Sequence, residues 1–254
     1  MNLLAIETST SESSVAMEFE GKLYTRSLSS VNKAQQKAEE KAQRNPKFNR
    51  RRTDQPGAED PEDDGLDALG LVQSVLEDAN IPLNALDAII FSQGPGSFVG
   101  THLAEGAVQG LAYIANVPVI NLSSLQILAQ TAHRQHGWSR LCIALDAKMH
   151  AVYHAVYELS EGIMVLKGAE TALIPSACKC PKGKGVAIGN AWKIYDLPVS
   201  KGFKLFEADI YPDAQDMLIL AQKKLETSRG GPANMAVPSY LRGTDLWKKT
   251  RRRE

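Results

Sequence analysis

Gly94-Pro95-Gly96-Ser97-Phe98-Val99-Gly100 is the stretch of the chain with the strongest chemical signal. It follows the apolar run Ala88-Ile89-Ile90-Phe91 and precedes a helix-like segment, Leu103 to Ala115. Strand, glycine turn and helix is the layout that gathers backbone N–H groups around an anion at a helix N-terminus. Spacing narrows the choice. The third glycine comes one residue late for G-x-G-x-x-G, and the next strand-like run, Val117 to Ile120, ends in Asn121 where a dinucleotide fold wants an acid. No G-K-[ST] follows, so the turn is not a P-loop. Gly94, Gly96, Ser97 and Gly100 remain candidate phosphate-loop residues. Ser97 lies outside a G-x-S-x-G elbow and is read as the cap of the following helix, not as a nucleophile. The second candidate is Glu7-Thr8-Ser9, which closes the apolar run Leu3 to Ile6. The Glu7 carboxylate has two readings: a group facing a metal-bound phosphate, or an acceptor for the N–H groups of its own turn.

Histidines and cysteines offer less. His150 and His154 stand four apart, but His150-Ala151-Val152-Tyr153-His154-Ala155-Val156-Tyr157 alternates like a strand. Four residues of strand span roughly 13 Å, too far for one metal. His133 and His136 flank a helix end beside Gly137, where a cation suits the C-terminal dipole, and His102 stands alone. No metal site is expected. Cys142, Cys178 and Cys180 are the three cysteines, a sparse, odd count that suits a reducing compartment. Cys178-Lys179-Cys180 is too close for C-x-x-C chemistry and is read as a loop without chemistry.

The elements that must position these residues follow from pattern. Leu3 to Ile6, Ser14 to Phe19 and Leu23 to Leu28 read as a three-stranded meander, turned by the hydroxyl-rich Thr8 to Ser14 and by Glu20-Gly21-Lys22. Leu69, Val72 and Leu76 form one helical stripe. Small residues (Ala104, Gly106, Ala107, Gly110, Ala112) let the helix after the glycine turn pack closely. Leu122 to His133 is a helix capped by Ser123 or Ser124. Leu141 to Leu145 and Ala151 to Leu159 are strands, Met164 to Glu170 and Val186 to Ile188 weaker ones, Gly189-Asn190-Ala191 a turn, and Asp213 to Leu225 a helix. This order predicts two related α/β lobes, with an N-terminal lobe over 1–105, a C-terminal lobe over 106–210, and a terminal helix with a basic tail over 211–254.

The 254 residues carry 29 Lys plus Arg against 29 Asp plus Glu, so no global field points to nucleic acid or membrane. Met1-Asn2-Leu3-Leu4-Ala5-Ile6 meets Glu7 at once and reads as a strand, not a leader. No run approaches the ~18 apolar residues of a membrane span. A soluble, cytoplasmic protein is expected. Residues 32–65 break the pattern: Leu, Ile, Val and Met are absent and Phe48 is the one aromatic. Such a segment buries too little to offset its ordering entropy. It is predicted to be a disordered, solvated insertion, with basic (Lys47, Arg50-Arg51-Arg52) and acidic (Glu59-Asp60, Glu62-Asp63-Asp64) blocks; the sharper reading is a basic finger for RNA phosphates.

Taken together, several motifs resemble the bacterial TsaB family: Leu4-Ala5-Ile6-Glu7-Thr8-Ser9-Thr10, Ser14-Val15-Ala16, the Gly94 to Gly100 turn and Gln109-Gly110-Leu111-Ala112. Ser123-Ser124-Leu125, Asp146-Ala147-Lys148 with Val152-Tyr153, Tyr211-Pro212-Asp213-Ala214 and Tyr240-Leu241-Arg242 continue it, collinear over nearly the whole chain outside 32–65. The resemblance implies a two-lobed actin/sugar-kinase-like (ribonuclease H-like) α/β fold, each lobe a mixed sheet with helices. It also implies a non-catalytic subunit. The implied partner is the related catalytic TsaD, joined by TsaE, in transfer of threonylcarbamoyl to the adenosine 3′ of the anticodon in tRNAs reading A-starting codons. In isolation a homodimer is implied, and tRNA contact only indirectly or weakly.

The departures are informative. Phe98-Val99-Gly100-Thr101-His102 stands where the family usually reads Phe-Thr-Gly-Val-Arg, and Glu7 stands where Asp is usual. These losses weaken anion binding, so ATP or ADP is expected weakly if at all, at Glu7, Thr8, Ser9, Gly94, Gly96, Ser97 and Gly100, and no cofactor is required. Leu69, Val72, Leu76, Val108, Leu111 and Ala112 are the candidate partner face. The alternatives are an active small-molecule kinase or ATPase of the same fold, and a metalloprotease-like activity that the histidine spacing does not support.

Overall fold

The computed structural model describes residues 1–30 and 64–241. The expected insertion and basic tail therefore lie outside the described residues, except that the insertion's last two positions, Asp64 and Gly65, open a helix. Arg242 lies outside as well.

Strands β1 (Leu3–Glu7), β2 (Ser14–Phe19) and β3 (Lys22–Ser27) form the expected antiparallel meander. Glu20 and Gly21, both at positive φ, make its second turn. β4 (Ala88–Ser92) pairs parallel with β1, and β5 (Val119–Leu122) parallel with β4, giving the order β3-β2-β1-β4-β5. β1 and β4 are buried at every position, which is why they read as unbroken apolar runs: each has a covered sheet face on both sides. Helices α1 (Asp64–Ala79) and α2 (Phe98–Ala115) cover one face, packing Val72, Val75, Val108 and Ala112 on Leu4, Ile6, Met17, Ile89 and Phe91.

Helix α3 (Ser124–His136) leads into the second sheet: β6 (Arg140–Asp146), β7 (Val152–Ser160), β8 (Ile163–Leu166), β9 (Thr171–Leu173) and β10 (Gly185–Ile188). After the single turn α4 (Ala191–Ile194) comes β11 (Phe203–Leu205). The order is β11-β10-β6-β7-β8, with β9 on β7. β6, β7 and β8 are antiparallel, while β10 and β11 run parallel to β6. Apart from β9, this repeats the order and strand directions of the first sheet, and the fold is the two-lobed actin/sugar-kinase-like α/β fold. The expected strand Met164 to Glu170 stops at Leu166, because Gly168 at φ +90 turns the chain before β9.

Two boundaries differ from the expected ones. The break after residue 105 falls inside α2, and β5 beyond it belongs to the first sheet through its parallel ladder with β4. The terminal segment is not a separate unit either. Helix α5 (Ala214–Leu225) covers the other face of the first sheet, with Met217, Leu218, Leu220 and Ala221 against Leu3, Ala5, Ile90 and Ile120. Gly231 then bridges to Val119. Helix α3 joins the lobes, with Ile127 in the core beneath α5 and Leu125, Leu128 and Ala132 in the core of the second sheet. Among the described residues no helix is long and apolar enough to cross a membrane.

Candidate functional site

The two candidate turns meet. β1 and β4 are parallel neighbours, so the turns after Glu7 and after Ser92 leave the sheet at the same end. There the Ser97 N–H donates to the Ser9 carbonyl at 2.7 Å and the Thr8 hydroxyl to the Gly100 carbonyl at 2.9 Å. A Cβ on Gly96 would press well inside contact with the Ser9 carbonyl and lie 2.7 Å from the Ser9 Cβ; one on Gly100 would strike the Thr8 carbonyl. These two glycines serve close backbone approach between turns. Gly94, at φ +87, makes the bend itself and is joined to Pro95 by a cis peptide.

The glycine turn is pinned from other directions too. Its Gln93 N–H donates to Leu122, the Gly94 carbonyl accepts from the Ser124 N–H, and the Gln93 carbonyl accepts from the Ser239 N–H. At the start of α2 the Gly100 N–H goes to the Ser97 hydroxyl at 3.2 Å, so Ser97 is the cap expected of it, and the Thr101 N–H goes to the Ser97 carbonyl. The N–H groups of Ser97 and Gly100 are thus engaged within the protein, and that of Thr101 makes the first intrahelical bond of α2.

Glu7 is fully buried and turned onto its own turn. Its Oε1 accepts from the Ser9 N–H at 2.6 Å and from the Ser9 hydroxyl, while Oε2 has no partner among the described residues. Burial pushes its pKa up, and the Ser9 hydroxyl only partly offsets this. Of its two readings, the geometry matches the turn acceptor. Ser97 is likewise placed as a cap. The imidazole of His102 is bonded to the Phe98 carbonyl and the Tyr240 hydroxyl, both at 2.7 Å.

A family model described as "TsaD: tRNA N6-adenosine threonylcarbamoyltransferase" matches residues 67–245. The protein called tRNA threonylcarbamoyladenosine biosynthesis protein TsaB in Escherichia coli is 34% identical over 188 residues, covering 71% of this chain and 81% of that one. The chain belongs to the TsaB family. Its Haemophilus influenzae relative of the same description is 30% identical over 73% of this chain and 83% of its own length. The solved structure of YeaZ from Pseudomonas aeruginosa superposes with a TM-score of 0.76 at 32% identity, covering 94% of this chain and 99% of that one.

As a TsaB-family chain, its candidate partner face needs redrawing. Leu69, Val72, Leu76 and Leu111 line an apolar groove of about 590 Å³ between α1 and α2, closed by Ile81 and Pro82. Val72, Val108 and Ala112, expected on that face, are 2%, 0% and 1% exposed. They point into the core because the helical stripe they belong to is the one that seals the sheet. The surface that sequence reasoning missed is the other stripe of α2. Phe98, Val99, Leu103, Tyr113 and Ile114 are exposed by 41% or more, and a Cβ on Gly106 or Gly110 would meet open space. The spacing 99, 103, 106, 110, 113 was readable as a helical row, but two glycines inside it hid its apolar character.

Remaining site residues are scattered. His133 bonds the Trp138 carbonyl, His136 stacks on Trp138, and His150 packs edge-on against Tyr195. His154 faces Cys142 at 3.4 Å, so the two histidines four apart do not converge.

Proposed function

We propose that this chain is a non-catalytic scaffold subunit in threonylcarbamoyladenosine formation on tRNA, acting by binding the catalytic TsaD subunit through the outer face of α2 and the α1–α2 groove. The observation that carries this reading is the exposed row on α2: Val99, Leu103 and Tyr113, flanked by Phe98 and Ile114, with two glycines that leave the helix backbone open to a partner. Contiguous exposed apolar surface of this kind marks an interaction site, and small residues allow a second helix to approach closely. The names of the relatives support the pathway, and the TsaD match supports a partner of related fold, since a quasi-symmetric pairing needs two similar surfaces.

TsaE joins that pair, tRNA is reached mainly through TsaD, and a second copy of this chain occupies the same face when TsaD is absent. A cytoplasmic setting accompanies the role; all three cysteines are buried and unpaired, as a reducing compartment keeps them. Weak ATP or ADP binding would have to compete with the bonds that already occupy the glycine turn. Co-purification with TsaD, followed by tRNA modification with and without this chain, tests the reading. Capture and stimulation are expected. Leu103→Glu should cut capture at least tenfold, because burying one unpaired charge easily exceeds the ~1.4 kcal/mol that a factor of ten requires. TsaD working equally well alone would overturn it.

A further inference from the structure

The second sheet holds a thiol cluster that the scaffold reading does not use. Cys142, on the central strand β6, and His154, on β7, lie on the same sheet face one diagonal step apart, with Cys142 Sγ 3.4 Å from His154 Nε2. The chain returns over this face after the 3₁₀ turn Pro175–Ala177 and brings Cys178 and Cys180 down onto it, beside Val152, Ala187 and Trp192. Cys142, Cys178 and Cys180 share one buried cluster there. Sequence spacing hides this cluster, because the pair at 178 and 180 says nothing of the thiol beneath it.

We propose that Cys142 and Cys180 form an intramolecular disulfide on exposure to a peroxide, fastening the Cys178–Cys180 loop to the central strand of the second sheet and leaving Cys178 a free thiol. The roles follow from position. Cys180 is 7% exposed against 0% for Cys142 and 1% for Cys178, so the oxidant meets it first. The neighbouring Cys142 thiol lowers the Cys180 pKa, whereas the Cys180 thiol and burial raise Cys142, and burial takes Cys178 up to about 12. The Cys180 thiolate attacks hydrogen peroxide: an S–O bond forms, the O–O bond breaks, and the departing hydroxide takes a proton to leave as water. Cys142 then gives its proton to His154 Nε2, an imidazole that burial holds neutral, and attacks the sulfenic sulfur. The S–S bond forms, the S–O bond breaks, and the hydroxide recovers the proton from His154. Two thiols are oxidised, one peroxide is reduced, and two waters leave.

The full chain is treated with hydrogen peroxide, unfolded in maleimide, and mapped by peptide mass spectrometry before and after reduction. The reduced protein should take three labels and the oxidised protein one, on Cys178, with a Cys142–Cys180 peptide that reduction removes. C178S should still form the bond. C142S should not, and its Cys180 sulfenic acid should be trapped by dimedone. Mapping on the unaltered chain decides the matter even where a variant fails to fold. Three labels retained, a Cys178–Cys180 or intermolecular link, or thiols masked by bound zinc until chelation would each overturn the proposal.

Discussion

Four glycines near the candidate site separate two explanations of why glycine is there. If Gly96 and Gly100 exist to let two turns touch, adding a methyl group must force the turns apart. Gly100→Ala places a Cβ against the Thr8 carbonyl and 3.4 Å from the Ser97 hydroxyl. The clash is with backbone, which has no rotamer to move into. Overpacking costs about 1–3 kcal/mol, and the strained bond from the Thr8 hydroxyl to the Gly100 carbonyl contributes about 1 kcal/mol more. Against this stands a helix-propensity gain of roughly 0.8–1 kcal/mol, since Gly100 lies in the first turn of α2. The net is a loss of about 1–3 kcal/mol. Gly106→Ala and Gly110→Ala, in the same helix, meet nothing within 4 Å and keep the propensity gain whole. The two classes should therefore differ by roughly 2–4 kcal/mol, or about 4–16 °C in Tm at 2–4 °C per kcal/mol for a chain of this size. Gly96→Ala should fall with Gly100→Ala, because it also breaks the bond from the Ser97 N–H to Ser9. Thermal and urea melts of the four single variants give the comparison. Gly100→Ala melting with Gly106→Ala, both at or above the parent, would refute close approach as the reason for these glycines.

Gly110→Leu should leave the melting temperature at or above that of the parent yet reduce capture of TsaD, since it fills the notch on the outer face of α2 without touching the core; co-purification beside a melt reads both. Glu7 gives a pH signature. Its folded pKa is raised from 4.5, so the stability it contributes is full below its unfolded pKa and is lost as pH rises through the folded value. Glu7→Gln should therefore gain on the parent as pH climbs above about 4.5, and urea midpoints measured across pH would show no such trend if the carboxyl were solvated. Arg134→Ala should destabilise by about 2–3 kcal/mol, because Asp216, 3% exposed, loses bonds at 2.8 and 2.9 Å and keeps only Thr131. That figure lies below the ~3–5 kcal/mol of a fully buried broken pair, as Arg134 is itself 38% exposed and screened. Arg134→Met with Asp216→Leu should recover most of the loss in a denaturant series.

Much of the fold was legible because its central strands are buried on both sides. Leu3 to Ile6 and Ala88 to Phe91 could hardly be anything else, and the side-chain caps at Ser97, Ser123 and Asp213 announced their helices. What stayed hidden is non-local. Nothing near residue 214 says that its N–H will reach the Ser14 hydroxyl and bring α5 back onto the first sheet. β11 buries only Phe203 and so lacks a strand signature, and α4, a single turn after Asn190, was masked by the turn chemistry of Gly189-Asn190. The candidate site was half legible. Sequence located both turns, but whether the turn N–H groups face an anion or the other turn depends on the register of β1 against β4, which no local pattern encodes.

That register ties the site to the proposed role. A phosphate cradle needs N–H donors held open, at a cost that bound ligand repays. Here the Ser97 N–H is taken by the Ser9 carbonyl and the Gly100 N–H by the Ser97 hydroxyl, and Glu7 is closed onto Ser9. The result is a rigid joint at the N-terminus of α2, pinned to β1, to the start of α3 through Ser124 and to the C-terminal segment through Ser239. A helix fixed so firmly at its base presents its outer row in one orientation. Preorganisation of that kind lowers the cost of association, so what such a turn would forgo in anion binding it can return as a stiff platform for a partner helix. Loosening the joint with Gly96→Ala should therefore weaken TsaD capture even though residue 96 lies at the base of α2 and not in its outer row; undiminished capture by a folded Gly96→Ala chain would separate the joint from the platform.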